Sequence, residues 1–233
     1  MTLRKMLLAA AMAVVAAMAM APAASAATPA PGYEKFAGCP SPEEHPEVFA
    51  CVRNVIKGGH FQMGTKDVPL TNPMTLVGGV TPAGPIVANS KGGLEPVKQK
   101  VPGGVVGLTG LTWLLELFGS EALTLCAVTE MAGQPILTAD NTSTIKLPIK
   151  VHLVNSLLGN NCYVGSFANP INLTLTVGTT SPPPPNEPIT GSKGELVFDP
   201  VTKVITQKNL KYVDNAFSAP GASGCVLTLF RFI

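Results

Sequence analysis

Five cysteines and three histidines are the side chains best suited to chemistry in this sequence. The cysteines are Cys39, Cys51, Cys126, Cys162 and Cys225, and the histidines are His45, His60 and His152. Cys39 and Cys51 enclose Pro40-Ser41-Pro42-Glu43-Glu44-His45-Pro46. Two cysteines this close across a turn-rich loop predict a disulfide in an exported chain. Cys162 and Cys225 form the second expected pair, since each opens an apolar strand after a turn. Cys126 is then the unpaired thiol, expected to be buried on a strand and inert. Other pairings of Cys126 stay open at this level. Glu43, Glu44, His45 and Glu47 resemble a metal cluster in composition. No second histidine lies at ligand spacing, so they read as a solvated loop.

Catalytic signatures are missing from the sequence. There is no G-x-S-x-G elbow, no H-E-x-x-H and no Walker loop. Gly221-Ala222-Ser223-Gly224 comes near the first but lacks the strand–turn–helix setting that would expose the serine. Carboxylates are sparse in the strand-rich half, and the 6% aromatic content is low for stacking on sugars. The sequence therefore predicts no catalytic residue, no metal site and no cofactor. A hydrolase would need a site composed from distant residues.

The elements that must position these groups are strands. Leu147, Ile149, Val151 and Leu153 alternate with Pro148, Lys150, His152 and Val154, a period of two that places the aliphatics on one strand face. Gly159-Asn160-Asn161 supplies turn chemistry, and Cys162-Tyr163-Val164 reads as the returning strand. Ile171, Leu173, Leu175 and Val177 repeat the alternation. Four prolines, Pro182–Pro185, can neither donate to a ladder nor continue a helix. Glu195–Phe198 and residues 203–206 flank a turn. Cys51–Ile56 and His60–Gly64, joined by Lys57-Gly58-Gly59, predict a β-hairpin with His60 on its surface. Val68–Leu70, Met74–Val77, Ala122–Glu130 and Leu210–Phe217 read as further strands, and Pro220–Gly224 as a turn. Thr81–Gly104 is loop-like with unplaced edge strands. Leu111, Leu114, Leu115 and Phe118 share a helical face, with Gly119 as a cap. The expected fold is mainly β, an antiparallel sandwich or barrel-like fold with one short apolar helix near 111–118.

Residues 1–26 have the form of a secretory signal. Arg4 and Lys5 precede an apolar run, Met6–Met20, of about fifteen residues, short for a membrane span. Ala24-Ser25-Ala26 fits the cleavage rule. Residues 27–38 form a Pro/Ala linker, and 39–233 a single secreted domain, or two packed halves at 39–104 and 105–233. The mature chain has no expected membrane span. A net charge of +2 without a basic patch excludes a nucleic-acid footprint. Asn141-Thr142-Ser143 and Asn172-Leu173-Thr174 match the glycosylation pattern.

Several phrases, among them Phe61-Gln62-Met63-Gly64, Leu157–Ser166, Ser181–Asn186 and Val213-Asp214-Asn215 leading to Gly224-Cys225, together resemble a group of secreted actinobacterial proteins with no assigned activity. The resemblance implies export and a shared fold. Those proteins continue past the Gly-Cys phrase with a Leu/Gly/Pro-rich stretch, whereas this sequence runs into the apolar Cys225–Ile233. The expected role is that of an exported, non-enzymatic structural or binding protein, secreted or associated with the cell envelope, acting on an unknown extracellular or envelope component. Two rivals stand beside it: a secreted hydrolase, and a carrier of a small apolar ligand whose cavity is lined by Val105–Phe118.

Overall fold

The computed structural model describes residues 30–63, 66–138, 144–201 and 205–226. The signal sequence, the Asn141 glycosylation pattern and most of Cys225–Ile233 lie outside the described residues. The chain forms β1 (Ala50–Ile56), β2 (His60–Met63), β3 (Lys66–Pro69), β4 (Met74–Val80), β5 (Ile86–Val87), β6 (Gly93–Leu94) and β7 (Lys98–Lys100). Two helices follow, α1 (Gly104–Thr109) and α2 (Trp113–Ala122). Then come β8 (Cys126–Met131), β9 (Ile136–Thr138), β10 (Thr144–Val154), β11 (Tyr163–Val164), β12 (Ile171–Leu175), β13 (Glu195–Phe198), β14 (Ile205–Lys208) and β15 (Ala222–Ser223).

β10 organises the larger sheet. Ile145, Leu147, Ile149, Val151 and Leu153 are all buried, while the residues between them are half-buried or exposed. Every pairing of β10 is antiparallel, with β8 and β9 along one edge and β11 and β12 along the other. The register puts Leu173 opposite Leu147, Ile171 opposite Ile149 and Val164 opposite Val151. Aliphatics thus meet aliphatics across the ladder, which is how a sheet face is stabilised. The sheet runs β15-β11-β10-β8-β7. The smaller sheet has the order β1-β4-β5, with β6 also on β4. Its buried Met74, Leu76, Ile86 and Leu94 share one core with the β10 face.

Among the described residues, backbone hydrogen bonds join the two sheets on one side. Ile86 N–H donates to Pro135 O at 2.8 Å, and Leu137 N–H to Gly84 O at 2.8 Å. On the other side the outer edge of β1 pairs with no strand among the described residues. The architecture is therefore an antiparallel sandwich with an open side, not a closed barrel. The interior tie between the sheets is Gln99 on β7, only 2% exposed. Its Oε1 accepts from the backbone N–H of Thr71 (2.9 Å) and Asn72 (3.0 Å), and its Nε2 donates to Asn72 O at 2.6 Å. Gln99→Leu keeps the volume and removes these partners, so it is expected to lower the unfolding free energy by about 2 kcal/mol. The shift of the urea midpoint at constant slope measures it.

Several elements differ from the sequence reading. β1 and β2 are strands but do not pair with each other. β1 matches seven residues of β4, burying Val52 and Ile56 against the core, while β2 matches β3. The Gly58-Gly59 link does not turn back: Leu70 N–H bonds Gly59 O at 2.9 Å, extending the β2–β3 ladder. Leu210–Phe217 forms single bridges at Lys211 and Val213 rather than a strand. Asp214 explains the interruption, because its carboxylate takes the N–H groups of Thr174 (2.6 Å) and Ala216 (2.9 Å) that a ladder would use. The expected helix near 111–118 is α2, and a second short helix, α1, precedes it across Gly110 in the left-handed region (φ 70). α2 is broken in turn at Gly119 (φ 74), and Phe118 is exposed rather than packed. Part of the expected Pro220–Gly224 turn, Ala222-Ser223, pairs with β11. The end of the Pro/Ala linker is docked to the body, where Asn89 Nδ2 donates to Ala37 O and Cys39 O at 2.9 and 2.8 Å. That approach needs Gly38, since a Cβ there would stand 2.6 Å from Gly92 Cα. No helix among the described residues is long and apolar enough to cross a membrane.

Candidate functional site: an apolar cleft between the sheets

The joined side and the open side together leave a cleft of about 2590 Å³. Its floor is the aliphatic face of β10 with Leu173 and Val164, and its opposite wall is Met74, Leu76 and Leu94. The whole of β1 borders the opening. Protein interiors rarely hold voids larger than a water molecule, so a space of this size is an architectural feature. The aliphatics that border it are themselves nearly buried and belong to the shared core, so the cleft runs along the edge of that core.

Aromatic side chains stand at the entrance. The rings of Phe61 and Phe217 stack at 5.3 Å and 12°, linking β2 to the segment after Asp214. Tyr212 also borders the cleft, and burial pushes its hydroxyl above the usual tyrosine range. It therefore presents a neutral phenol at ordinary pH. Charge at the rim is one-sided: among the described residues, Lys35, Arg53, Lys57, Lys66, Lys208 and Lys211 border the cleft, with Asp214 as the sole carboxylate.

Of the residues singled out from sequence, Cys39, Cys51 and His60 border the cleft, while Cys126, Cys162, Cys225, His45 and His152 lie elsewhere. Cys39 meets Cys51 and Cys162 meets Cys225 at disulfide distance, with Cα separations of 6.0 and 4.2 Å. Both are braces: the first holds the strand entry at β1, and the second holds the chain after β15 to the start of β11. Cys126 is a free thiol on β8, but it is half-buried, on the sheet face away from the cleft. Its neighbours Val154 and Lys100 occupy the sheet's outer side, which receives less cover than the core. His45 pairs with Glu47 at 2.8 Å, and exposed His60 with Asp67 at 3.0 Å. No group of three or more His, Cys, Asp or Glu among the described residues could hold a metal ion. The residues of Val105–Phe118 whose side chains are described do not line the cleft, so that expectation is corrected. Those helices pack elsewhere in the core through Val105 and Leu114, and strands form the walls.

The outer face of the large sheet carries the densest polar cluster. Lys150 Nζ lies 2.6 Å from Glu130 Oε2 and over the rings of Tyr163 (4.1 Å) and Phe167 (4.8 Å). His152 stacks on Tyr163 at 4.5 Å, and its Nδ1 is 3.8 Å from Glu130 Oε1, beyond hydrogen-bond reach. Nε2 of His152 is buried without a partner. Cys126 shares this face, yet no hydrogen bond links it to His152, so the activated nucleophile of covalent catalysis is not assembled. The arrangement is a cation held by an acid and two rings.

The hairpin β13–β14 stands apart from the core with every residue exposed. Its register places Leu196, Phe198 and Ile205 on one face. Ile205 to Lys208 border the cleft, so this hairpin forms part of its entrance.

The chain matches no protein-family model, no curated protein and no solved structure. Function must therefore be argued from the geometry. The cleft was missed in the sequence because a strand face reads the same whether it meets another face or a gap. The cationic rim left a fainter trace, in Arg53 and Lys57 interleaved with the aliphatics of β1 and the lysines on either side of Leu210.

Proposed function

We propose that this is an exported, non-enzymatic binding protein that holds a small apolar molecule between its two sheets. The observation that carries the reading is the cleft of about 2590 Å³ walled by inward-facing aliphatics of β4, β10 and β12. Ligand sites for drug-sized molecules run to roughly 1,000 Å³, so this space suits an extended hydrocarbon. Burial of such a chain against Leu147, Ile149, Leu173 and Leu76 is favourable in proportion to the area removed from water. Export is supported by Arg4-Lys5, the apolar run and Ala24-Ser25-Ala26, and it agrees with the two cysteine pairs. Among the described residues, Cys126 and His152 do not form a nucleophile–base pair, which favours binding over turnover.

The test is extraction of the natively exported protein. After denaturation in organic solvent, mass spectrometry is expected to show an apolar molecule released at about one per chain. A ligand-free protein that also leaves the dye Nile red unbound would sink the proposal. Labelling of a single serine by a broad serine-hydrolase probe would replace it with the hydrolase reading.

A further inference from the structure

We infer that the ligand is an amphiphile with an acidic head: a hydrocarbon tail in the cleft and a carboxylate or phosphate at its rim. The inference rests on the reading of the cleft as a binding site and adds the chemistry of the head group. The chain as a whole is nearly balanced, with 16 Lys and Arg against 14 Asp and Glu. The cleft border is not, since it takes six of the first and one of the second. That single carboxylate, Asp214, is committed to two backbone N–H groups. Among the described residues, none of the six cations has a carboxylate within the 4.0 Å of an ion pair. Among the described residues, Lys35 alone of the six meets a ring, its Nζ lying 5.4 Å from the Phe36 ring centroid. His60, which also borders the cleft, has its Nδ1 3.0 Å from the Asp67 carboxylate.

A long apolar wall ringed by unpaired cations fits a molecule with the opposite distribution. The stems of Lys and Arg can extend the apolar wall while their heads reach water and an anion. An anion at the rim would meet charges already in place, and a low-dielectric wall behind them strengthens the attraction. A neutral lipid would gain the tail contacts only. A cationic amphiphile would be repelled.

The probes are cis-parinaric acid and its methyl ester, titrated by fluorescence into the full mature protein after removal of bound lipid. The acid is expected to bind about tenfold more tightly than the ester at low salt, an advantage that shrinks in 1 M salt, where the screening length falls to about 3 Å. Arg53→Gln with Lys211→Gln is expected to remove most of that advantage and leave the ester unchanged. Both side chains are exposed, so an unaltered thermal midpoint verifies the fold. Equal affinity for acid and ester overturns the acidic head while the cleft stands as a binding site. An acid preference untouched by both substitutions overturns the role of the rim. Binding of neither probe overturns the cleft reading and this inference with it.

Discussion

Cys162→Ala is expected to lower the unfolding free energy by roughly 4 kcal/mol, against roughly 3 kcal/mol for Cys39→Ala. The difference follows from the spans enclosed, which are 63 residues for Cys162–Cys225 and 12 for Cys39–Cys51. Closing a longer loop removes more freedom from the unfolded chain, and in the chain-entropy description the cost grows with the logarithm of the span. The enclosed region matters as much as the number. Between Cys162 and Cys225 lie β11, β12, the four prolines, the exposed hairpin and β15, so the bridge closes both core strands and a long exposed stretch. Without the bridge, β15 is held by two residue pairs with β11 and by the bond from Val226 N–H to Leu158 O at 2.9 Å. Cys162 is also fully buried, so its truncation leaves a void as well. Urea titrations of the two variants, with dithiothreitol-treated wild type as the limit, measure the difference. Equal losses would mean that the unfolded chain is already compact across the longer span.

The strands of the large sheet were readable because period-two alternation is a local property, and β10 shows it for its full length. Long-range pairing was not readable. Nothing near Cys51–Ile56 says that its partner is Met74–Val80 rather than the adjacent His60–Gly64, since both offer β-branched or aromatic residues and a glycine lies between. The choice is made by burial, because β4 carries Met74 and Leu76 into the core while β2 stays at the entrance. The interruption at Asp214 was hidden for a related reason: a carboxylate that replaces ladder bonds looks like any polar residue between strand formers. Gly119 reads as the end of the helical stretch in the sequence, and the additional helix before Gly110 was the part left unread, since Pro102-Gly103-Gly104 ahead of it looks like loop. The cleft was beyond reach. It depends on how the two sheets are placed relative to each other, which rests on contacts such as those of Gln99 and the β5–β9 backbone bonds, between segments distant in sequence.

The same distinction between wall and core yields the second large effect. Leu125→Ala is expected to cost roughly 4 kcal/mol, because Leu125 is fully buried away from the cleft and its loss leaves an enclosed void. Leu147→Ala removes the same atoms from a buried side chain that borders the cleft, so the space it vacates opens into the cleft instead of being enclosed. Its cost is expected to be nearer 2 kcal/mol, close to the transfer free energy of the lost methyl and methylene groups alone. The comparison is made on lipid-free protein, by urea midpoint at constant slope. Equal costs would mean that the cleft is filled in solution by packed side chains. Repeating it with cis-parinaric acid at about a hundred times its dissociation constant should stabilise wild type by about 2.7 kcal/mol. Leu125→Ala should gain as much as wild type, since it changes stability without changing the wall. Leu147→Ala should gain less at the same probe concentration, because the lost wall contacts belong to the bound tail as well as to the folded chain. A common gain in both variants would place the probe outside the cleft, since only a tail lying against β10 can sense the residue at 147.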